Sequence, residues 1–223
     1  MKTDKIDAFN QFINREILPA ATELERLEDR SRRHLQKLTY TNLVDRFDSM
    51  VDGLLLDNCR EDLLVAEAAK DFTQQVTEAD LLKLLLHAAD LQNAIEIKLR
   101  DGLRNTVLRE RHSNKLKVLF EVFKPDEEYW SKPRVNIATG EIYEHMRPQR
   151  KKIPYSICGY SDWLYSRRNA IVHGGGATKM LEGDAKRLEK TFHCVPAKSV
   201  RIKPATVKIA ATFYKSVIDI LTS

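Results

Sequence analysis

Two arginines, an amide and an imidazole are set close together in residues 165–176, which read YSRRNAIVHGGG. Each side chain has an elementary chemical use. The planar fork of Arg168 can hold and neutralise a phosphate. His173 can move protons near neutral pH. RNA carries its own nucleophile, the 2′-hydroxyl, so such a set needs no serine or cysteine nucleophile and no metal to cleave a phosphodiester. Asn169 lies four residues before His173, on the same face of a helix, where its amide can fix the tautomer and orientation of the imidazole. Arg167, beside Arg168, is a further candidate for contact with the RNA backbone.

Arg168 and His173 are five residues apart, which on a regular helix separates them by about 140° around the axis. The spacing therefore predicts that they diverge within one chain. Two copies of the helix end across a two-fold axis would supply two histidines, one as base and one as acid, and two arginines. A homodimer is the expectation. The glycines at 174–176 are expected to stop the helix and leave room for a large substrate. A competing pair, Arg187 and His193, lacks both the asparagine and the glycines.

The elements that must position these groups read as helices. Ser161 is a good N-cap for the helix that carries Arg168, with Trp163, Leu164 and Ile171 on its buried side. Ile6, Phe9, Ile13 and Ile17 recur at helical spacing, and Pro19 is expected to bend or break that segment. The stretch ATELERLEDRSRRHLQKL predicts a solvated helix with a basic end. A separate amphipathic segment carries Leu43, Phe47, Met50 and Leu54. From Thr77, a capping-box-like start, the apolar run LLKLLLHAADLQNAIEIKL predicts the central helix. A final helix opens at Pro204, with Val207, Ala210, Ala211, Tyr214, Val217, Ile218 and Leu221 facing inward. Residues 125–160 change character and predict an irregular insertion with a short hairpin, in which Val135 and Ile137 alternate and ATGE turns the chain toward Ile142 and Tyr143. Its run Arg147, Arg150, Lys151 and Lys152 is the densest positive charge in the chain and a secondary RNA-contact candidate. Tyr155 and Tyr160 either stack bases or belong to the core.

The chain has 223 residues, 43% apolar and 31% charged, enough for one sizeable core. Its net charge of +5 permits a polyanionic partner without requiring one. Cys59, Cys158 and Cys194 are scattered, so neither a disulfide framework nor a metal site is predicted, and no cofactor is expected. No apolar run is long enough to cross a bilayer, and residues 1–12 lack the apolar core of a secretory signal. A cytoplasmic protein is the expectation.

The compound pattern R-N-x-x-x-H-G, late in an all-helical chain, resembles the signature of HEPN domains, and within them the RiboL-PSP-type and related prokaryotic defence group. The resemblance implies a helical bundle spanning residues 1–223. It also implies a metal-independent endoribonuclease acting as a dimer, in a toxin–antitoxin or phage-defence system with an antitoxin or other partner protein. Arg168, Asn169 and His173 stand where that family has its arginine, polar residue and histidine. Gly175 stands where the family members paired with nucleotidyltransferase antitoxins carry a tyrosine, so AMP-type modification is not expected. A second reading is a HEPN-like dimerisation or RNA-binding module that does not cleave. The surroundings of the motif discriminate the two. Catalysis calls for an exposed imidazole in a basic cleft at a two-fold interface. A scaffold would bury the imidazole or tie Arg168 to an internal carboxylate.

Overall fold

The structure, a computed structural model, describes residues 4–72, 77–87, 90–147, 152–173, 178–197 and 199–223. It is all-α: among the described residues no strand forms. The helices are α1 (Asp4–Phe12), α2 (Leu18–Glu23), α3 (Asp29–Asp57), α4 (Asp62–Ala69), α5 (Glu78–His87), α6 (Leu91–Asn105), α7 (His112–Phe123), α8 (Ile157–Val172), α9 (Thr178–Phe192) and α10 (Pro204–Thr222). One hydrophobic core runs from Ile6 to Leu221.

Pro19 does not break the first segment. It sits at the start of α2, and a π-helical turn at Ile13–Ile17, after which the Leu18 N–H bonds to the Ile13 carbonyl, joins α1 to α2 without a break. The chain breaks later than expected, after a 3₁₀ turn at Leu24–Arg26, where Leu27 turns extended. From Asp29 a single helix of 29 residues unites the basic stretch and the Leu43–Leu54 stripe, which read as separate segments in the sequence.

That helix, α3, is the central one. Tyr40, Leu43, Val44, Phe47, Met50, Val51, Leu54 and Leu55 are all buried, covering more than one side of it. Phe47 stacks on Tyr214 of α10 at 4.0 Å, and α1, α7, α8 and α10 pack around it. The apolar segment from Thr77 is not central. It divides into α5 and α6, with Asp90 capping α6 by accepting from the Asn93 N–H. Leu82, Leu85 and Leu86 of α5 are exposed, as are Ile95 and Ile97 of α6. The closing helix α10 buries the inward stripe expected of it.

The insertion before α8 holds one antiparallel bridge, Val135 to Ile142, rather than a hairpin of strands. The turn is closed by Asn136, whose carbonyl accepts from Gly140 N–H and whose side chain accepts from Ala138 N–H. Gly140 has φ +84°, and a Cβ there would stand 2.1 Å from the Ile209 carbonyl oxygen, so only glycine lets the turn seat on α10.

Candidate active-site cleft

The α8 helix begins earlier than the sequence suggests. Ser156 is its N-cap, accepting from Gly159 N–H at 3.1 Å, and Ser161 is buried inside the helix. Its last residue is Val172 and its C-cap is His173, in agreement with the expected end. The glycines at 174–176 lie outside the described residues.

One stripe of α8 faces a cleft of about 610 Å³ between α8, α9 and the start of α7. Asp162, Ser166, Asn169 and His173 line it at successive spacings of four, three and four residues, which is one side of a helix, with Tyr165 beside Ser166. Across from them, Gly183, Asp184 and Arg187 of α9 form a matching face, and Arg111 closes one end.

Arg168 and His173 do not diverge. Arg168 Nη1 lies 3.5 Å from His173 Nε2, a long contact, within a single chain. The estimate from helical angles fails because the arginine side chain is long enough to fold back over α8. Its Cζ sits 5.8 Å from the centre of the Tyr165 ring, one turn earlier. His173 is exposed.

Asn169 orients the arginine rather than the imidazole. Its Oδ1 accepts from Arg168 Nη1 at 2.9 Å, while its backbone carbonyl accepts from His173 N–H at 2.9 Å. The other edge of the guanidinium is held by α3. Arg168 Nη2 donates to Asp45 Oδ2 at 3.1 Å, and Nε stands 2.5 Å from Asp45 Oδ1, off the hydrogen-bond direction. The imidazole is exposed rather than buried, and Arg168 is tied to a carboxylate, though not to an internal one. Asp45 is itself 42% exposed at its side chain, so the pair lies at the surface rather than in the core.

The cleft carries three guanidiniums, Arg111, Arg168 and Arg187, against the carboxylates of Asp162 and Asp184. Arg187, the arginine of the competing pair, is thus brought to the same cleft, where both its terminal nitrogens contact Asp162, at 2.5 and 3.1 Å. Its Nε and Ser166 Oγ are buried there with no hydrogen-bond partner among the described residues. Sequence reading passed over Asp162, Tyr165 and Ser166, although their spacing with Asn169 and His173 was available as a polar stripe.

Behind the cleft a buried polar network ties α3, α7 and α8 together. His112 Nδ1 is 2.6 Å from Asp48 Oδ1 and Nε2 is 2.6 Å from Ser161 Oγ. Lys115 Nζ reaches Asp48 and Asp52, each at 2.7 Å. The Asp48–His112–Ser161 chain has the connectivity of a serine-nucleophile triad, but Ser161 is 0% exposed and no substrate can reach it. Its role is structural. Burial opposes ionisation of Asp48, yet the hydrogen bond and charge of His112, joined by Lys115, outweigh it and hold the carboxyl down to about 2. Burial raises Asp52. Tyr165 stacks on His112 at 5.1 Å with the rings 6° apart, and so carries the network to the cleft wall.

The remaining candidates fall elsewhere. Arg167 points inward and is 8% exposed. Its Nε donates to the Ser199 carbonyl at 3.1 Å and its Nη2 to that of Arg201 at 2.7 Å, with the guanidinium over the Tyr40 and Trp163 rings. It is a structural brace without a free edge for RNA. Arg147 and Lys152 are exposed. Arg150 and Lys151 lie outside the described residues. Tyr155 and Tyr160 are core residues, 8% and 4% exposed. The three cysteines are buried and unpaired. Among the described residues no helix is long and apolar enough to cross a membrane.

No protein-family model, curated protein or solved structure matches the chain.

Proposed function

We propose that the chain is a HEPN-type endoribonuclease whose cleft holds the scissile phosphate between Arg168 and His173. The observation that carries this reading is the 3.5 Å approach of the arginine to an exposed imidazole at the wall of an open cleft. Asp45 and Asn169 fix the guanidinium plane, leaving Nη1 beside the imidazole to meet a non-bridging phosphate oxygen. Arg111 and Arg187 add positive charge to the same cleft.

The reaction then follows from the residues. His173 takes the proton of the 2′-hydroxyl, and the 2′-oxygen attacks phosphorus. The bond to the 5′-oxygen breaks, and an acid protonates that oxygen. The products are a 2′,3′-cyclic phosphate and a 5′-hydroxyl. One histidine does not easily serve as base and acid together, so the reading keeps a homodimer, in which a second His173 is the acid. The earlier reason for a dimer, divergence of Arg168 and His173, no longer applies. A defence or toxin–antitoxin setting with an inhibitory partner belongs to this reading as an expectation.

The ion pair of Arg168 with Asp45 supports a second reading, an RNA-binding module in which the arginine is committed to the fold. One experiment separates the two. Purified protein is incubated with a mixed RNA pool, wild type beside His173→Ala, with and without chelator, and the ends are mapped. Cyclic phosphate ends made by wild type alone, in chelator, support the nuclease. Cleavage that persists in His173→Ala, or that requires added Mg²⁺, rules it out. RNA binding without any cleavage leaves the binding module.

A further inference from the structure

A second basic surface lies away from the cleft. The first turns of α3 and residues 200–204 enclose a groove of about 660 Å³. Arg32, Arg33 and Lys37 line one wall, Arg201 and Lys203 the other, against a single carboxylate, Asp29. Asp29 is occupied by Arg32 and Arg33. Among the described residues, Lys37, Arg201 and Lys203 have no acidic partner. The groove also opens at the N-terminal end of a 29-residue helix, whose dipole adds positive potential.

The groove is built rather than incidental. Its second wall is a segment without helix or strand, and such a segment would not hold two cations in register by itself. Arg167 holds it, donating to the carbonyls of Ser199 and Arg201 from inside the bundle. The residue that braces the groove is thus the neighbour of Arg168. On α3, Lys37 and Asp45, the partner of Arg168, are eight residues apart, about 12 Å along the axis.

We propose that this groove binds the backbone of single-stranded RNA as it leaves the cleft, supplying affinity while the cleft supplies chemistry. An unpaired set of lysines and arginines without base-reading partners contacts phosphates regardless of sequence. The choice of RNA rather than another polyanion rests on the ribonuclease reading above.

The test uses the full chain with His173 intact. Lys37→Gln, Arg201→Gln and Lys203→Gln are combined in one variant, and Lys37→Glu alone serves as a second in case the first folds poorly. Binding is read by fluorescence anisotropy with a labelled single-stranded 2′-O-methyl RNA, which cannot be cleaved by 2′-hydroxyl attack. The triple variant should bind on the order of ten-fold more weakly at low salt, and the slope of log affinity against log salt should become shallower by about 2. Cleavage of a dinucleoside monophosphate, too short to reach the groove, should match wild type. Unchanged affinity and salt slope in both variants would overturn the proposal, as would wild type that fails to bind the RNA at low salt. Loss of polyglutamate binding with RNA binding intact would reassign the groove to an acidic protein. If the dinucleotide is not cleaved but the variants still lose RNA binding, the groove stands and the nuclease reading falls.

Discussion

Arg168 and Asp45 meet edge to edge, with Nη2 3.1 Å from one carboxylate oxygen and Nε 2.5 Å from the other. The carboxylate therefore decides where the guanidinium points, and it offsets part of the charge offered to a phosphate. Asp45→Ala should lower kcat by losing orientation, and it should not raise KM, because the freed arginine attracts RNA more strongly. In an Arg168→Ala background Asp45→Ala should have no further effect on cleavage. A double-mutant cycle on kcat/KM measures this, and additive losses would show that Asp45 acts by another route.

Removing the proposed proton-transfer group and the proposed phosphate anchor should separate activity from folding. His173→Ala should lose roughly 10²–10⁴-fold in rate. Arg168→Ala should lose on the order of 10²–10³-fold by removal of an electrostatic donor. Arg168→Lys should not restore it, since an ammonium cannot span Asp45, Asn169 and a phosphate at once. His173 is exposed, so thermal unfolding of His173→Ala should coincide with that of wild type.

Gly183 faces the cleft from α9, and a Cβ added there meets nothing within 4 Å. Gly183→Ala should stabilise the protein by about 1 kcal/mol, the helix-propensity difference, with activity retained. Gly183→Phe should fill the cleft and suppress RNA cleavage without loss of stability. Denaturant unfolding beside a cleavage assay reads both, and full activity in Gly183→Phe would place the substrate elsewhere.

Asp48 gives the fold an acid limb. Its carboxyl is held down to about 2, below the ordinary carboxylate range, by His112 and Lys115 against the opposing effect of burial. A depressed folded pKa contributes stability that is complete above the unfolded value near about 4, and that is lost as pH falls through about 2. The amount is about 2 kcal/mol. Asp52, raised by burial, acts in the opposite sense, so a slight gain should precede the fall. Melting temperatures measured from neutral pH down to about 2 should show that limb in wild type and a flatter one in Asp48→Asn.

Arg167→Ala should destabilise the protein by about 1–3 kcal/mol, because two carbonyls lose a charged donor and the segment they belong to loses its tie to α8. Arg167→Lys should recover little of it, as one ammonium cannot reach the carbonyls of residues 199 and 201 with the geometry of a fork. Denaturation midpoints test this, and a wild-type midpoint in Arg167→Ala would mean that the brace is dispensable.

Much of the bundle is legible in the sequence because periodic apolar stripes name the buried face. The stripe of α10 and the Leu43–Leu54 stripe of α3 are where periodicity places them. Periodicity does not say whether a face has a partner. The leucines of α5 read as central because they are many, yet Leu82, Leu85 and Leu86 stand in solvent. Proline chemistry predicts a disruption at Pro19, but a π-helical turn directly precedes it and the chain carries on through it. At the cleft, counting degrees around a helix placed Arg168 and His173 apart, because that arithmetic follows Cβ directions and not the reach of an arginine. Arg167 illustrates the converse. Adjacent to Arg168 and identical to it in chemistry, it turns inward, and only the carbonyls it meets could reveal that.

Because Tyr40, Asp45, Asp48 and Asp52 all project from α3, and Lys37 lines the groove from the same helix, the distances among these positions are set by helical rise. No loop intervenes between them. α3 behaves as a ruler. A strand spanning groove and cleft would have its footprint dictated by a rigid rod, and a change in that footprint would require an insertion or deletion in α3 itself, with every later side chain rotated off its partner.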